Sequence, residues 1–136
     1  ICQANLIATA SGLSQTSNIE VIRQDVLSWL RKGFYAAKFC EPWRGHNPGF
    51  NVVYFDPPYS SKLYSEVLKA LLEGQWLQEN AVVICEHAAD FKLEAPLPWL
   101  EHDRRIYGGS ALLLINPPKH YPVGTDSRQT QIVQAT

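Results

Sequence analysis

The chain has 136 residues, of which 46% are hydrophobic and 18% charged, and its formal net charge is −1. That is apolar surface for one core and one domain, and too little positive charge for a general polyanion binder; nucleic-acid contact would need a local basic patch. The longest apolar run, Ala111 to Ile115, is far too short to cross a bilayer, and no signal peptide is visible. The three cysteines, Cys2, Cys40 and Cys85, lack a paired C-x-x-C spacing, which argues against a disulfide framework or a zinc site and for a reducing cytoplasm. His46, His87, His102 and His120 share no metal-ligand spacing and read as surface or loop histidines, and Cys85 reads as a core residue.

Cys2, Leu6, Ala10 and Leu13 fall on one helical face, with Gly12 near the stop. There is no methionine, and a chain that opens inside an amphipathic helix reads as the back part of something longer. Ile19 to Gln24 alternates as a short strand ending at Asp25, and Val26, Leu27 and Leu30 supply the apolar side of a short helix. Residues 31–50 carry Gly33, Pro42, Gly45, Pro48 and Gly49, so they predict a long irregular connection. Its Phe34, Tyr35, Phe39 and Trp43 are suited to covering apolar surface or touching a partner.

Asn51 to Phe55 is rich in β-branched and aromatic residues and predicts a buried strand. It runs into Asp56-Pro57-Pro58-Tyr59. Neither proline can donate to a ladder, and Pro58 forces Pro57 into an extended conformation, so a rigid lip forms at the strand's carboxyl end. Ser60 or Ser61 then caps a helix whose face is Leu63, Val67, Leu68, Leu71 and Leu72, with Gly74 at the C′ position. Ala81 to Cys85 reads as a second, fully buried strand. After the proline-broken Ala95 to Trp99, a hairpin spans Leu100–Tyr107 and Ser110–Ile115 around Gly108-Gly109. The expectation is one α/β domain over residues 1–118, a mostly parallel sheet with helices on both faces and a C-terminal antiparallel hairpin, then a polar, disordered tail over 119–136.

The lip carries chemistry. An exocyclic amino nitrogen is a poor nucleophile because its lone pair is delocalised into the ring. The Asp56 carboxylate and the Pro57 carbonyl can hold its hydrogens out of the ring plane and aim the lone pair at an electrophile such as a sulfonium methyl. Tyr59 would stack on the base, which would first be swung out of its helix. The plain alternative is a turn that merely ends a strand.

This order resembles the back half of class I S-adenosylmethionine-dependent methyltransferases, with their Rossmann-like sheet, and more closely the RsmD family, which methylates the exocyclic N2 of a guanine in small-subunit ribosomal RNA. The matching pieces are Ala4-Asn5-Leu6, Val21-Ile22-Arg23-Gln24-Asp25-Val26-Leu27, Asp56-Pro57-Pro58-Tyr59, Leu71-Leu72-Glu73-Gly74-Gln75-Trp76-Leu77, Val82-Val83-Ile84-Cys85-Glu86-His87 and Arg104-Arg105-Ile106-Tyr107-Gly108-Gly109-Ser110. The resemblance implies that Asp56, Pro57, Pro58 and Tyr59 hold the target guanine. It implies too that Asp25 and the Val26 N–H grip the adenine edge of S-adenosylmethionine, although Asp25 is equally suited to capping its helix. Arg104, Arg105 and Lys62 are the expected RNA contacts, with the small ribosomal subunit as partner.

The family's glycine-rich cofactor loop and its ribose-binding acid are absent and would lie upstream of Ile1. The expectation is therefore a C-terminal part, without the N-terminal strands, that binds the cofactor weakly on its own. Its exposed sheet edge would be closed by the strand at 19–24 or by self-association. An adenine-N6 methyltransferase of DNA or RNA, and a non-catalytic RNA- or partner-binding module, are the alternatives.

Overall fold

The computed structural model describes residues 21–36, 49–58, 61–119 and 132–135. Strands β1 (Phe50–Phe55), β2 (Leu77–Ala88), β3 (Leu100–Tyr107), β4 (Ser110–Asn116) and β5 (Ile132–Ala135) form one sheet in the order β3-β4-β2-β1-β5. Helices α1 (Val26–Arg31) and α2 (Ser61–Glu73) precede β1 and β2. β1 pairs in parallel with β2 and with β5, and β4 is antiparallel to both β2 and β3. Four strands therefore point one way and β4 alone is reversed. The parallel sheet with a terminal hairpin is as the sequence predicts, and Gly108 supplies the positive φ (59°) at the hairpin turn.

The strands alternate in burial. Val53 and Phe55, Ala81, Val83 and Cys85, and Leu113 and Ile115 are buried. Val52, Tyr54, Val82, Ile84, Leu112 and Leu114, on the opposite face, are only half-buried. β2 is thus longer than expected and is not equally packed on its two faces. Val26, Trp29 and Leu30 of α1 line one small apolar cavity with Val53 and Phe55 of β1 and Val67 and Leu71 of α2. Both described helices therefore cover the same face, where helices on both were expected; the helix expected over residues 1–13 lies outside the described residues.

Trp76 organises this layer. It is fully buried, donates its indole N–H to the Leu30 carbonyl at 2.8 Å, and stacks on Phe50 at 5.9 Å and 3°. Helix α2 reaches it through a Schellman turn: the Gln75 N–H bonds the Leu72 carbonyl and the Trp76 N–H the Leu71 carbonyl. The left-handed residue of that turn is Gln75 (φ 55°), not Gly74 as the glycine's position led us to expect. Gly74 is needed for space instead, because a Cβ there would lie 2.5 Å from the Trp76 indole nitrogen. Gly74→Ala is accordingly expected to cost about 1–3 kcal/mol through overpacking, read as a lower denaturant midpoint with an unchanged slope.

Four expectations change. Val21 to Gln24 form no strand, and Val21 and Ile22 are exposed. An alternating segment becomes a strand only where a ladder is on offer, and the edge of β1 is taken by β5. Residues 132–135 correspondingly leave the disordered tail expected for 119–136, because Ile132 and Val133 are β-branched and the β1 edge presents unpaired backbone groups. The edge of β1 is thus closed by β5 and not by the strand expected at 19–24. His87 is buried, not a surface histidine, because two residues beyond Cys85 it returns to the packed face, where Phe91 meets its ring edge-on. Cys85 is a core residue as expected, and burial pushes its thiol up to about 12.

Candidate active site

β1 stops at Phe55 because Pro57 and Pro58 have no N–H to continue the ladder. Pro57 is buried and Pro58 exposed, so the lip is anchored at its first proline. Tyr59 lies outside the described residues. Asp56 follows Phe55 onto the half-buried face of the sheet, the face of Tyr54. The register places a second acid beside it: Phe55 pairs with Cys85, so Asp56 and Glu86 are the next residues on adjacent parallel strands.

Glu86 is held at two points. The Tyr54 hydroxyl donates to its Oε2, and the Tyr64 hydroxyl, reaching from α2, donates to its backbone carbonyl. Burial, and then the Glu86 charge, hold the Asp56 carboxyl above the usual carboxylate range. Burial and the nearby acids likewise push both tyrosine hydroxyls up to about 12, so they remain donors. Sequence reasoning missed Tyr54, Tyr64 and Glu86. The available signal was an acid at the end of an apolar strand, and only the register shows that it stands next to Asp56.

The other expected site residues are spread out. Asp25 caps α1, its Oδ2 accepting the Ser28 N–H at 2.8 Å, and that bond lowers its pKa. Val26 lies beside the end of β1 but on the helical face. Lys62 is exposed in the first turn of α2. The arginine pair is split by strand alternation. Arg105 sits opposite Leu112, itself opposite Glu86, and so shares the face of Asp56; Arg104 sits opposite Leu113 and Cys85, on the helical face. Arg105 is paired with Asp103 at 2.8 Å, and Arg104 with Glu101 at 2.9 Å. No cluster of histidine, cysteine and acidic side chains able to hold a metal ion occurs among the described residues, and no described helix is long and apolar enough to cross a membrane.

An acidic, partly desolvated pair at the carboxyl ends of two parallel strands is built to accept hydrogen bonds from a donor-rich edge, and open α/β sheets bind ligands at this end. Known proteins resemble this chain in sequence and in fold. The family model described as conserved hypothetical protein 95 matches residues 12–116. The chain is 24% identical over 89 residues to ribosomal RNA small subunit methyltransferase D of Buchnera aphidicola, covering 65% of this chain and 40% of that protein. It is 31% identical over 80 residues to the protein of the same name from Haemophilus influenzae, covering 59% and 36%. A crystal structure of a candidate methylase from H. influenzae superposes with a TM-score of 0.62 at 26% identity, covering 85% of this chain and 60% of that one. An Escherichia coli candidate methyltransferase (TM-score 0.61, 22% identity, covering 86% and 59%) shares the Rossmann-like fold. The chain thus spans about two-fifths of the length of these two named relatives.

Proposed function

The chain belongs to the conserved hypothetical protein 95 family, the RsmD family, and on that premise we propose that it is the base-holding part of an S-adenosylmethionine-dependent ribosomal RNA methyltransferase acting on the exocyclic N2 of a guanine. The observation that carries this reading is the half-buried Asp56 on a proline-stiffened lip at the carboxyl end of β1. Asp56 and the Pro57 carbonyl accept from the amine and localise its lone pair; Tyr59 stacks on the base. The cofactor supplies the methyl group as a sulfonium. Asp25 and Val26, at the start of α1, hold its adenine edge, a role compatible with the cap that Asp25 already forms. The substrate is small-subunit ribosomal RNA.

Incubating the full-length protein that carries this chain with labelled S-adenosylmethionine and undermethylated small ribosomal subunits tests the reading. Label recovered as N2-methylguanosine is expected. Label on adenine N6 would sink the guanine reading, and tight RNA binding without transfer would make the protein a binding module.

For RNA contact the two arginines differ. Arg105 shares the face of Asp56, and its exposed ion pair with Asp103 is weak enough to be exchanged for a phosphate. Arg105→Glu should reduce the log–log salt slope of subunit binding by about 0.7–0.9, whereas Arg104→Glu should leave it unchanged. Equal effects of the two reversals would place the RNA path elsewhere.

A further inference from the structure

Resting on the guanine reading above and deepening it, we propose that Glu86 is a specificity-determining residue: its carboxylate accepts the ring N1–H of the target guanine while Asp56 accepts from the neighbouring N2 amine. Asp56 and Glu86 are register neighbours at the ends of two parallel strands, roughly 4.8 Å apart in backbone spacing, and their side chains share a face. The Watson–Crick edge of guanine offers an amine and an N1–H side by side, two donors for two adjacent acceptors. Adenine and cytosine instead place an unprotonated ring nitrogen beside their amine, and a carboxylate facing that lone pair repels it. An acidic pair therefore selects guanine among the bases that carry an exocyclic amine.

Glu86 is positioned for that task before any base arrives. Tyr54 occupies its Oε2, which leaves Oε1 to accept, and Tyr64 pins the strand end through the Glu86 carbonyl. Two anchors on one half-buried acid fix its orientation, which is what discrimination between neighbouring ring atoms requires. The pair is also costly as it stands: among the described residues neither Asp56 nor Glu86 has a cationic partner, and burial and then the Glu86 charge disfavour the charge of Asp56. A site left with unmet acceptors discriminates strongly for a ligand bearing the matching donors, because an analogue lacking one of them leaves a desolvated acceptor unpaired.

The experiment compares the full-length protein on subunits reconstituted with guanine or with 2-aminopurine at the target position. The analogue keeps the N2 amine but has a bare N1. The native protein is expected to prefer guanine by about 10- to 100-fold in kcat/KM, the value of a hydrogen bond to a charged acceptor. Glu86→Gln should bring that ratio close to unity, since its amide can donate to the bare N1, whereas a merely structural Glu86 would lower both rates and leave the ratio alone. An unchanged ratio in Glu86→Gln overturns the proposal while methylation of guanine still upholds the function it rests on. Label appearing on adenine N6 sinks both. Should Glu86→Gln not fold, Tyr54→Phe keeps the carboxylate but frees it, and is expected to reduce the preference several-fold; an unaltered preference there overturns the proposal equally.

Discussion

Asp56→Ala in the full-length protein is expected to lower methyl transfer by about 10²–10³-fold, the usual loss when one preorganised electrostatic partner of the reacting group is removed. Among the described residues of the lip Asp56 has the only side-chain acceptor, and the prolines that follow it cannot donate to the base or pull the carboxylate away. The fold should not suffer. The Asp56 carboxyl is held above its ordinary range by burial and by the Glu86 charge, so folding favours its protonated form. Its linkage contribution to stability is therefore present at low pH and is lost as pH rises through the folded-state pKa; at neutral pH the alanine variant should melt at the native temperature or slightly above. On the proposed function catalysis has the opposite sign, because it is the ionised carboxylate that would orient the lone pair. Transfer by the native protein should fall as pH drops through a pKa higher than that of an ordinary aspartate, and this limb should vanish in Asp56→Ala. Near-normal turnover in the variant, or an acid limb that persists in it, removes Asp56 from the chemistry.

Trp76→Ala should be the most damaging single change to the fold, costing about 3–5 kcal/mol. The indole is fully buried, stacks on Phe50 and lies 4.3 Å from the Trp29 ring, so alanine would open a cavity between α1, α2 and the start of β1. It would also remove one of the hydrogen bonds that the Leu30 carbonyl accepts, leaving the one from the Gly33 N–H. Against a typical domain stability of about 5–15 kcal/mol, that loss is a large share. Trp76→Phe keeps most of the ring and loses the donor, and should cost about 1–3 kcal/mol. Denaturant midpoints for the two variants, with equal slopes, check both values. If alanine and phenylalanine prove equally costly, the hydrogen bond outweighs the packing.

The parts legible in the sequence were those fixed by nearby residues. Gly108-Gly109 placed the hairpin to within a residue, and two prolines after an aromatic strand placed the lip. The parts that were not legible depend on which segment finds which edge. Nothing within Ile19–Gln24 or Ile132–Ala135 says which of them pairs with β1; both are short and β-branched, and the competition is decided across the fold. The partner of Asp56 was hidden for the same reason. Glu86 stands next to it only through the pairing of Phe55 with Cys85, and register is a property of two strands together. His87 was misjudged by residue type, since its burial follows from counting two along β2 from Cys85.

The seating of β5 beside β1 also bears on how the chain assembles. Val52 pairs with Ile132, a contact that must close the longest loop in the sheet, whereas β3 and β4 meet across two residues. Loop closure costs grow with length and are met before the distant contact returns anything, so the hairpin should fold early and β5 should add last. The last piece on is the first off. Backbone amides of β1 directed at β5 should therefore exchange with solvent through a local opening, while those directed at β2 wait for the whole sheet to come apart.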